Sequence, residues 1–132
     1  MPFIHVRSLP FDPPREMDVV VSELTRDFAA ASGVALEQVT ATWTYIPAGH
    51  YAVGGVTAYG QMLRSHPLRV ELVTPYTGKP DTSRIHHMLH MVAQSIASHT
   101  GVAVDNIFIE HRYAQPGHVF EAGDVVRWAV RD

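Results

Sequence analysis

Residues 17–33 read MDVVVSELTRDFAAASG and residues 85–101 read IHHMLHMVAQSIASHTG, so two stretches 68 positions apart share one pattern. In both stretches, apolar residues recur at the spacing of one helix face. Each stretch ends in a glycine, Gly33 or Gly101, which is the residue that most often follows the last turn of a helix. The pattern therefore predicts two equivalent helices in two repeated units.

Segments rich in β-branched and aromatic residues flank both predicted helices and are typical of strands. They are Pro2–Leu9, Val39–Ile46, Leu68–Val73 and Asn106–Tyr113. The repeat extends to a turn, because Gly49-His50 recurs as Gly117-His118 at the same offset. The repeated unit is therefore β-α-β, which makes a parallel strand pair with a right-handed crossover helix.

The predicted fold class is α+β, with two fused β-α-β units forming one four-stranded sheet and both helices on one face. We expect a single domain over residues 1–132: unit one about 1–55, a connection about 56–67, unit two about 68–120, and a C-terminal segment 121–132. The glycine-containing stretch from His50 to about Pro67 is expected to fold as a hairpin or a short helix. We expect the other sheet face to be apolar and covered by other subunits, and the C-terminal segment to pair with a neighbouring subunit. The low charged fraction, 17% against the usual figure of about 25%, agrees with a chain that buries surface in an oligomer.

Composition excludes several classes of function. The chain of 132 residues has no cysteine, which removes disulfides, thiolate nucleophiles and cysteine-based metal sites. A net charge of −3 gives no electrostatic case for a nucleic-acid partner. There is no long apolar run and no basic leader before an apolar segment, so we expect no membrane association and a cytoplasmic protein. No phosphate loop or dinucleotide fingerprint is present, and we expect no cofactor.

Three histidines at helical spacing, His86, His87 and His90, raise the question of a metal site. His86 and His90 are four residues apart, a spacing that can bind zinc. However, no His-Glu-x-x-His motif is present, and the three side chains are predicted to face water beside the apolar stripe. We therefore expect no native metal site.

The residue with the most unusual chemistry is Pro2. When Met1 is removed, as is usual before a small second residue, Pro2 carries a secondary amine. An α-amino group has a pKa of about 7.7–8.0 in a peptide, and burial in an apolar pocket lowers it. Such an amine is partly neutral at pH 7 and suits a general base that returns its proton as an acid.

Three segments of the chain resemble the tautomerase superfamily, which includes 4-oxalocrotonate tautomerase and macrophage migration inhibitory factor. They are Met1–Ile4, Ser22–Thr25 and, most specifically, Ala48–Gly55, which reads AGHYAVGG. The resemblance covers nearly the whole chain as two units. It implies a mature N-terminal proline, assembly of the two-unit chain as a homotrimer, and proton transfer by Pro2 on a small keto or enol carboxylate.

The sequence departs from the family at the positions that hold the substrate carboxylate. Asp12 and Thr40 stand where 4-oxalocrotonate tautomerase has arginines, and Val34 stands where migration inhibitory factor has a lysine. Val70 stands where a second catalytic proline would fall, so at most one proline site per chain is expected. The usual carboxylate clamp is therefore missing from its aligned places.

Four residues are candidates for substrate binding in place of that clamp. The resemblance places Arg69 near the arginines of fused relatives, Tyr51 at a pocket phenylalanine, and Phe108 and Glu110 at pocket positions of migration inhibitory factor. Arg69 can equally be a surface arginine at a strand end, and Glu110 can form an ion pair with Arg112. These alternatives stay open at this point.

The leading hypothesis is a tautomerase that uses Pro2 as general acid and base. One alternative is a non-enzymatic binding or assembly protein with the same fold, which applies if Met1 is retained and Pro2 is an amide. Another is a dehalogenase or decarboxylase, whose sites need two arginines or an added acid beside the proline. Arg69 and Glu110 lying far from Pro2 would argue against that second alternative.

Overall fold

Two β-α-β units follow one another along the chain, and the fold class is α+β as predicted. The computed structural model describes residues 1–78 and 81–131. The strands and helices are, in chain order, β1 (Phe3–Ser8), α1 (Met17–Ser32), β2 (Thr40–Tyr45), β3 (Ala52–Val53), β4 (Val56–Thr57), β5 (Leu68–Pro75), α2 (Thr82–Thr100), β6 (Ile107–Ala114), β7 (Val119–Glu121) and β8 (Asp124–Val126). A short 3-10 turn precedes each of β2 and β6.

The main sheet has four strands in the order β2-β1-β5-β6. β1 is parallel to β2, and β5 is parallel to β6, as two β-α-β units require. The units join through an antiparallel pairing of β1 with β5, in which Phe3 lies opposite Val73 and Arg7 lies opposite Arg69. Because of this pairing, the end of β5 and the start of α2 lie beside the start of β1.

Both helices end at a glycine in the left-handed conformation. Gly33 has φ +76° and Gly101 has φ +80°, and their N–H groups donate to Ala29 O and Ala97 O. Glycine adopts this conformation without the steric cost that a Cβ adds. The predicted helix ends are therefore confirmed in both units.

The core lies between the sheet and the two helices. Alternate residues of the central strands point to this side, because successive side chains of a strand face opposite ways. The fully buried side chains include Ile4, Val6, Val70 and Leu72 from the sheet and Leu24, Phe28, Val92 and Ile96 from the helices. At the helix crossing, the Ser95 hydroxyl donates to Asp27 Oδ2 at 2.7 Å. Asp27 and Ser95 are 68 residues apart, so equivalent positions of the two units meet there.

The opposite face of the sheet differs from the expectation. It was predicted to be apolar, but it carries a set of charged and polar side chains, which are His5, Arg7, Thr42, Arg69, Glu71, Glu110 and Arg112. Arg112 pairs with Glu71 at 3.5 Å, and the Arg69 guanidinium lies 4.1 Å from the centre of the Phe108 ring. The prediction was wrong because strand alternation sends most apolar residues of the sheet to the helix side, and the few on this face, Phe3, Val73 and Phe108, stand among charged neighbours. Further exposed apolar residues lie on the hairpins, for example Val56 (63% exposed) and Phe120 (72%).

The connection and the C-terminal segment both contain hairpins. β3 pairs with β4, which decides the connection in favour of a hairpin. β7 pairs with β8, and Arg131 then pairs with Gly78 of the same chain. The described residues of the tail thus contact the same chain, whereas pairing of the tail with a neighbouring subunit stays a prediction; Asp132 lies outside the described residues. Across residues 1–78 and 81–131, neither helix has both the length and the apolarity needed to span a membrane.

Candidate functional site

A cavity of about 600 Å³ opens where β1 begins and β5 and β6 end. Pro2 is buried in its wall, and the backbone holds it there because Thr40 N donates to Pro2 O at 3.0 Å. The apolar part of the wall comes from Phe28, Val34, Ile85 and Met88. The polar part comes from Gln38, Thr74, Thr77, Asp81, Arg84, Tyr113 and Arg131. The cavity is large enough for a small organic acid.

The N-terminal amino group lies in partly desolvated surroundings beside this cavity. The amino group of Met1 donates to Gln38 O at 2.6 Å and lies 3.3 Å from Gln38 Oε1. Burial lowers the pKa of this amine, and the negative charge of Glu121 opposes the shift. While Met1 is attached, the nitrogen of Pro2 is an amide without basic character. Removal of Met1 turns it into a secondary amine at the same cavity wall.

Two cationic side chains line this cavity. Arg84 lies in the first turn of α2, where the Asp81 side chain accepts from the Arg84 backbone N–H at 3.0 Å. The Arg84 guanidinium donates to Ser32 O at 3.0 Å and so joins the two helices. The Arg131 backbone N–H donates to Thr77 O at 2.8 Å. Neither arginine was a candidate from the sequence, because the antiparallel pairing of β1 with β5, which brings the start of α2 beside Pro2, has no local sequence signal.

A small hydrogen-bonded group forms the sheet side of the cavity. His111 Nε2 lies 2.7 Å from Thr74 Oγ1, and the His111 ring packs edge-to-face on Tyr113 with 4.7 Å between the ring centres. Burial lowers the pKa of His111, so its imidazole favours the neutral form. Thr74 and Tyr113 both line the cavity, and the His111 imidazole lies against both of them.

The candidate substrate-binding residues form a second cluster on the other face of the sheet. Arg69, Phe108 and Glu110 share a pocket of about 80 Å³ with His5, Arg7 and Glu71. Tyr51 is a neighbour of Arg69. Burial raises the pKa of the Tyr51 hydroxyl, and the charge and hydrogen bond of Arg69 oppose this rise. The Tyr51 hydroxyl donates to Pro67 O at 2.8 Å. The structure thus brings the four candidates together.

The structure does not bring this cluster to Pro2 within one protomer. The pair Arg7–Arg69 lies four residues along the strands from the pair Phe3–Val73. At a rise of about 3.4 Å per residue, that separation is about 14 Å. The cluster also lies on the sheet face away from the helices, whereas the Pro2 cavity opens on the helix side. This placement argues against a dehalogenase or decarboxylase built from Arg69 and Glu110 of the same protomer.

No family model and no curated protein matches the sequence. Solved structures do match the fold. The F6 fused 4-OT wild-type asymmetric trimer superimposes with a TM-score of 0.76 at 16% identity, covering 93% of this chain and 94% of that one. The crystal structure of N1, a member of the cis-3-chloroacrylic acid dehalogenase family, gives 0.73 at 14% identity, covering 94% and 82%.

A third match concerns macrophage migration inhibitory factor, the other protein that segments of the sequence resemble. The macrophage migration inhibitory factor-like protein from Entamoeba histolytica superimposes with a TM-score of 0.69 at 9% identity, covering 94% of this chain and 97% of that one. Matches over nearly the full length of both chains confirm the two-unit arrangement. The chain therefore has the same fold as these structures, with the two-unit arrangement of the fused 4-OT chains.

Proposed function

We propose that the chain, after loss of Met1, is a tautomerase that moves a proton on a small keto or enol carboxylate, with Pro2 as general acid and base. The observation that carries this proposal is the burial of Pro2 in the wall of a cavity of about 600 Å³. Burial there lowers the pKa of an amine, as it does for the amino group of Met1. A partly neutral amine at pH 7 can take up a proton and return it.

In the proposed reaction, the neutral Pro2 nitrogen removes a proton from the carbon next to the substrate carbonyl, and the bonding electrons form an enol or enolate. The protonated nitrogen then returns a proton to another atom of the same conjugated system. The substrate and product are isomers, so no oxidant, reductant or cofactor is consumed. In this proposal, the Tyr113 hydroxyl donates a hydrogen bond to the developing enolate oxygen, and the Thr74 hydroxyl does the same when His111 Nε2–H donates to Thr74 Oγ1.

Arg84 and Arg131 are the proposed anchors of the substrate carboxylate. Both line the same cavity as Pro2, and a guanidinium can donate two parallel hydrogen bonds to a carboxylate. The apolar wall that includes Phe28 and Met88 limits water around the reacting carbon and favours the neutral form of the amine. Two arginines from the second unit and the tail would thus replace the clamp missing at Asp12 and Thr40.

A homotrimer is part of this proposal. The exposed apolar residues of the two hairpins, such as Val56 and Phe120, are surfaces that assembly would cover. The fused 4-OT structures that share this fold are described as trimers. Substrate binding by Arg69, Tyr51, Phe108 and Glu110 requires that one protomer present this cluster to the Pro2 cavity of another.

A second candidate is the dehalogenation of a small haloacrylate by hydration. The presence of two arginines at the Pro2 cavity favours it, as does the fold match with a member of a dehalogenase family. In this reaction, water adds to the halogen-bearing carbon, protonated Pro2 delivers its proton to the neighbouring carbon, and hydrogen halide leaves. The non-enzymatic alternative applies if Pro2 remains an amide.

The test compares the processed protein with its Pro2→Ala variant in the ketonisation of phenylpyruvate and 2-hydroxymuconate. The free amino group of an N-terminal alanine is primary and more flexible, so we expect ketonisation to fall by at least tenfold. Halide release from 3-chloroacrylate, measured on the same samples, separates the second candidate from the first. Equal ketonisation rates for the two proteins refute the role of Pro2, and the absence of both activities favours the non-enzymatic alternative.

A further inference from the structure

We propose that Glu23, Asp27 and His99 form a binding site for a divalent transition-metal cation, most suitably Zn²⁺, on the helix side of the molecule. The site lies at the crossing of α1 and α2, apart from the cavity lined by Pro2. It does not depend on the proposed tautomerase activity.

The three side chains converge with a spacing that fits a metal ion. One ligand atom from each residue lies within 4.8 Å of the other two, and Asp27 Oδ2 is 3.2 Å from His99 Nε2. In a tetrahedral zinc site with bonds of about 2.0–2.1 Å, neighbouring ligand atoms are about 3.3 Å apart. Small side-chain rotations therefore suffice to place all three atoms around one ion. In residues 1–78 and 81–131 no other three such side chains converge this closely, His86 and His90 included.

The helices bring these residues together for a simple geometric reason. Glu23 and Asp27 are four residues apart and lie on one face of α1. Each helix runs antiparallel to the strands of its own unit, and β1 is antiparallel to β5, so α1 and α2 run in opposite directions. The last turn of α2 therefore lies beside the middle of α1, and it supplies His99.

A buried side chain supports the Asp27 carboxylate. Ser95 is only 5% exposed, and its hydroxyl donates to Asp27 Oδ2 at 2.7 Å. Hydrogen bonds of this kind fix the orientation of a metal ligand and strengthen binding. The His99 and Asp27 side chains keep 29% and 37% of their surface exposed, so an ion can reach them from solvent.

The donor set points to the class of ion. Two carboxylates and one imidazole suit Zn²⁺ and related transition metals, whereas Mg²⁺ and Ca²⁺ prefer oxygen ligands alone. Three protein ligands leave one position of a tetrahedral ion for water. Without metal, His99 Nε2 contacts Asp27 Oδ2 at 3.2 Å; with metal, the lone pair of a neutral His99 Nε2 binds the ion, and the ring carries its proton on Nδ1. The bound ion would link the two units and stabilise the fold.

The experiment is a calorimetric titration of chelator-treated protein with Zn²⁺, together with thermal unfolding with and without the ion. We expect one Zn²⁺ per chain and a higher Tm in its presence. Glu23→Gln and His99→Gln should each weaken binding by at least tenfold and remove the Tm increase. The two variants lie on different helices, so a folding defect in one leaves the other as a test.

The matched control is a variant with His86→Gln and His90→Gln on the same helix, whose side chains are exposed and outside the cluster. This control should bind Zn²⁺ like the unchanged protein. The proposal is overturned if the control loses binding while Glu23→Gln and His99→Gln keep it, or if no protein binds Zn²⁺ with a saturable stoichiometry.

Discussion

Substitution of Arg84 by glutamine tests how the Pro2 cavity would hold a substrate carboxylate. Arg84 lines the cavity, and its guanidinium donates a hydrogen bond to Ser32 O at 3.0 Å. A hydrogen bond to a charged group is worth about 1.5–3 kcal/mol, and each 1.4 kcal/mol corresponds to a factor of about ten. Because Arg84 is exposed, screening by water favours the lower end of this range. We therefore expect kcat/KM for phenylpyruvate to fall by about tenfold.

The fold should tolerate this change, since the side-chain contact that is lost within residues 1–78 and 81–131 is a hydrogen bond at the surface. Changes of that kind usually alter the free energy of unfolding by about 0.5 kcal/mol or less. The control is Arg64→Gln, because Arg64 is 80% exposed and its ion pair with Asp105 at 3.8 Å lies away from the cavity. A second control is a ketone substrate without a carboxylate, on which Arg84→Gln should have no effect.

The assay is steady-state ketonisation at fixed ionic strength, with Tm recorded for each variant. The main effect should fall on KM, because the carboxylate is bound in both the ground state and the transition state. If Arg84→Gln and Arg64→Gln have the same kcat/KM as the unchanged protein, Arg84 does not bind the substrate, and the carboxylate anchor must be sought elsewhere.

Two further predictions concern stability. Burial lowers the pKa of His111 below its ordinary value of 6.5, so its contribution to stability is present above about pH 6.5 and is lost as the pH falls toward the lower pKa of the folded state. His111→Gln should therefore flatten the fall of Tm between pH 7 and pH 5. An unchanged slope of Tm against pH would contradict this. Gly33→Ala and Gly101→Ala each place a Cβ at φ near +80° with no atom within 4 Å, so backbone strain alone should lower the free energy of unfolding by about 1–2 kcal/mol in both. Urea unfolding checks this, and a loss in only one of the two would show that the units are not equivalent.

The sequence predicted the fold well because the two units repeat the same local signals. Helical spacing of apolar residues, a glycine after each helix and runs of β-branched residues are local features, and each decides one element. The outward face of the sheet was harder to predict. Its character depends on which alternate residues of β1, β5 and β6 turn away from the helices, and those residues mix charged side chains such as Arg69 and Glu110 with apolar ones such as Phe108.

The functional site was predictable only in part. Pro2 was identified from its chemistry, but its polar surroundings come from distant segments, since Arg84 and Arg131 reach the cavity through the pairing of β1 with β5 and the return of the tail. Arg69 was selected by alignment with relatives, and its role stays a prediction that depends on a neighbouring protomer. The Asp27–His99 contact joins residues 72 positions apart, which no motif could reveal.

The most direct test of Pro2 as the general acid and base is a measurement of the pKa of its nitrogen. Mass spectrometry first establishes that Met1 is absent from the purified protein, and nitrogen-15 NMR of proline-labelled protein then follows the amine through a pH titration. We expect the Pro2 nitrogen to be a secondary amine whose pKa is below the range of about 7.7–8.0 for an ordinary α-amino group. A retained Met1, or an amine that titrates within or above that range, would contradict the proposed chemistry.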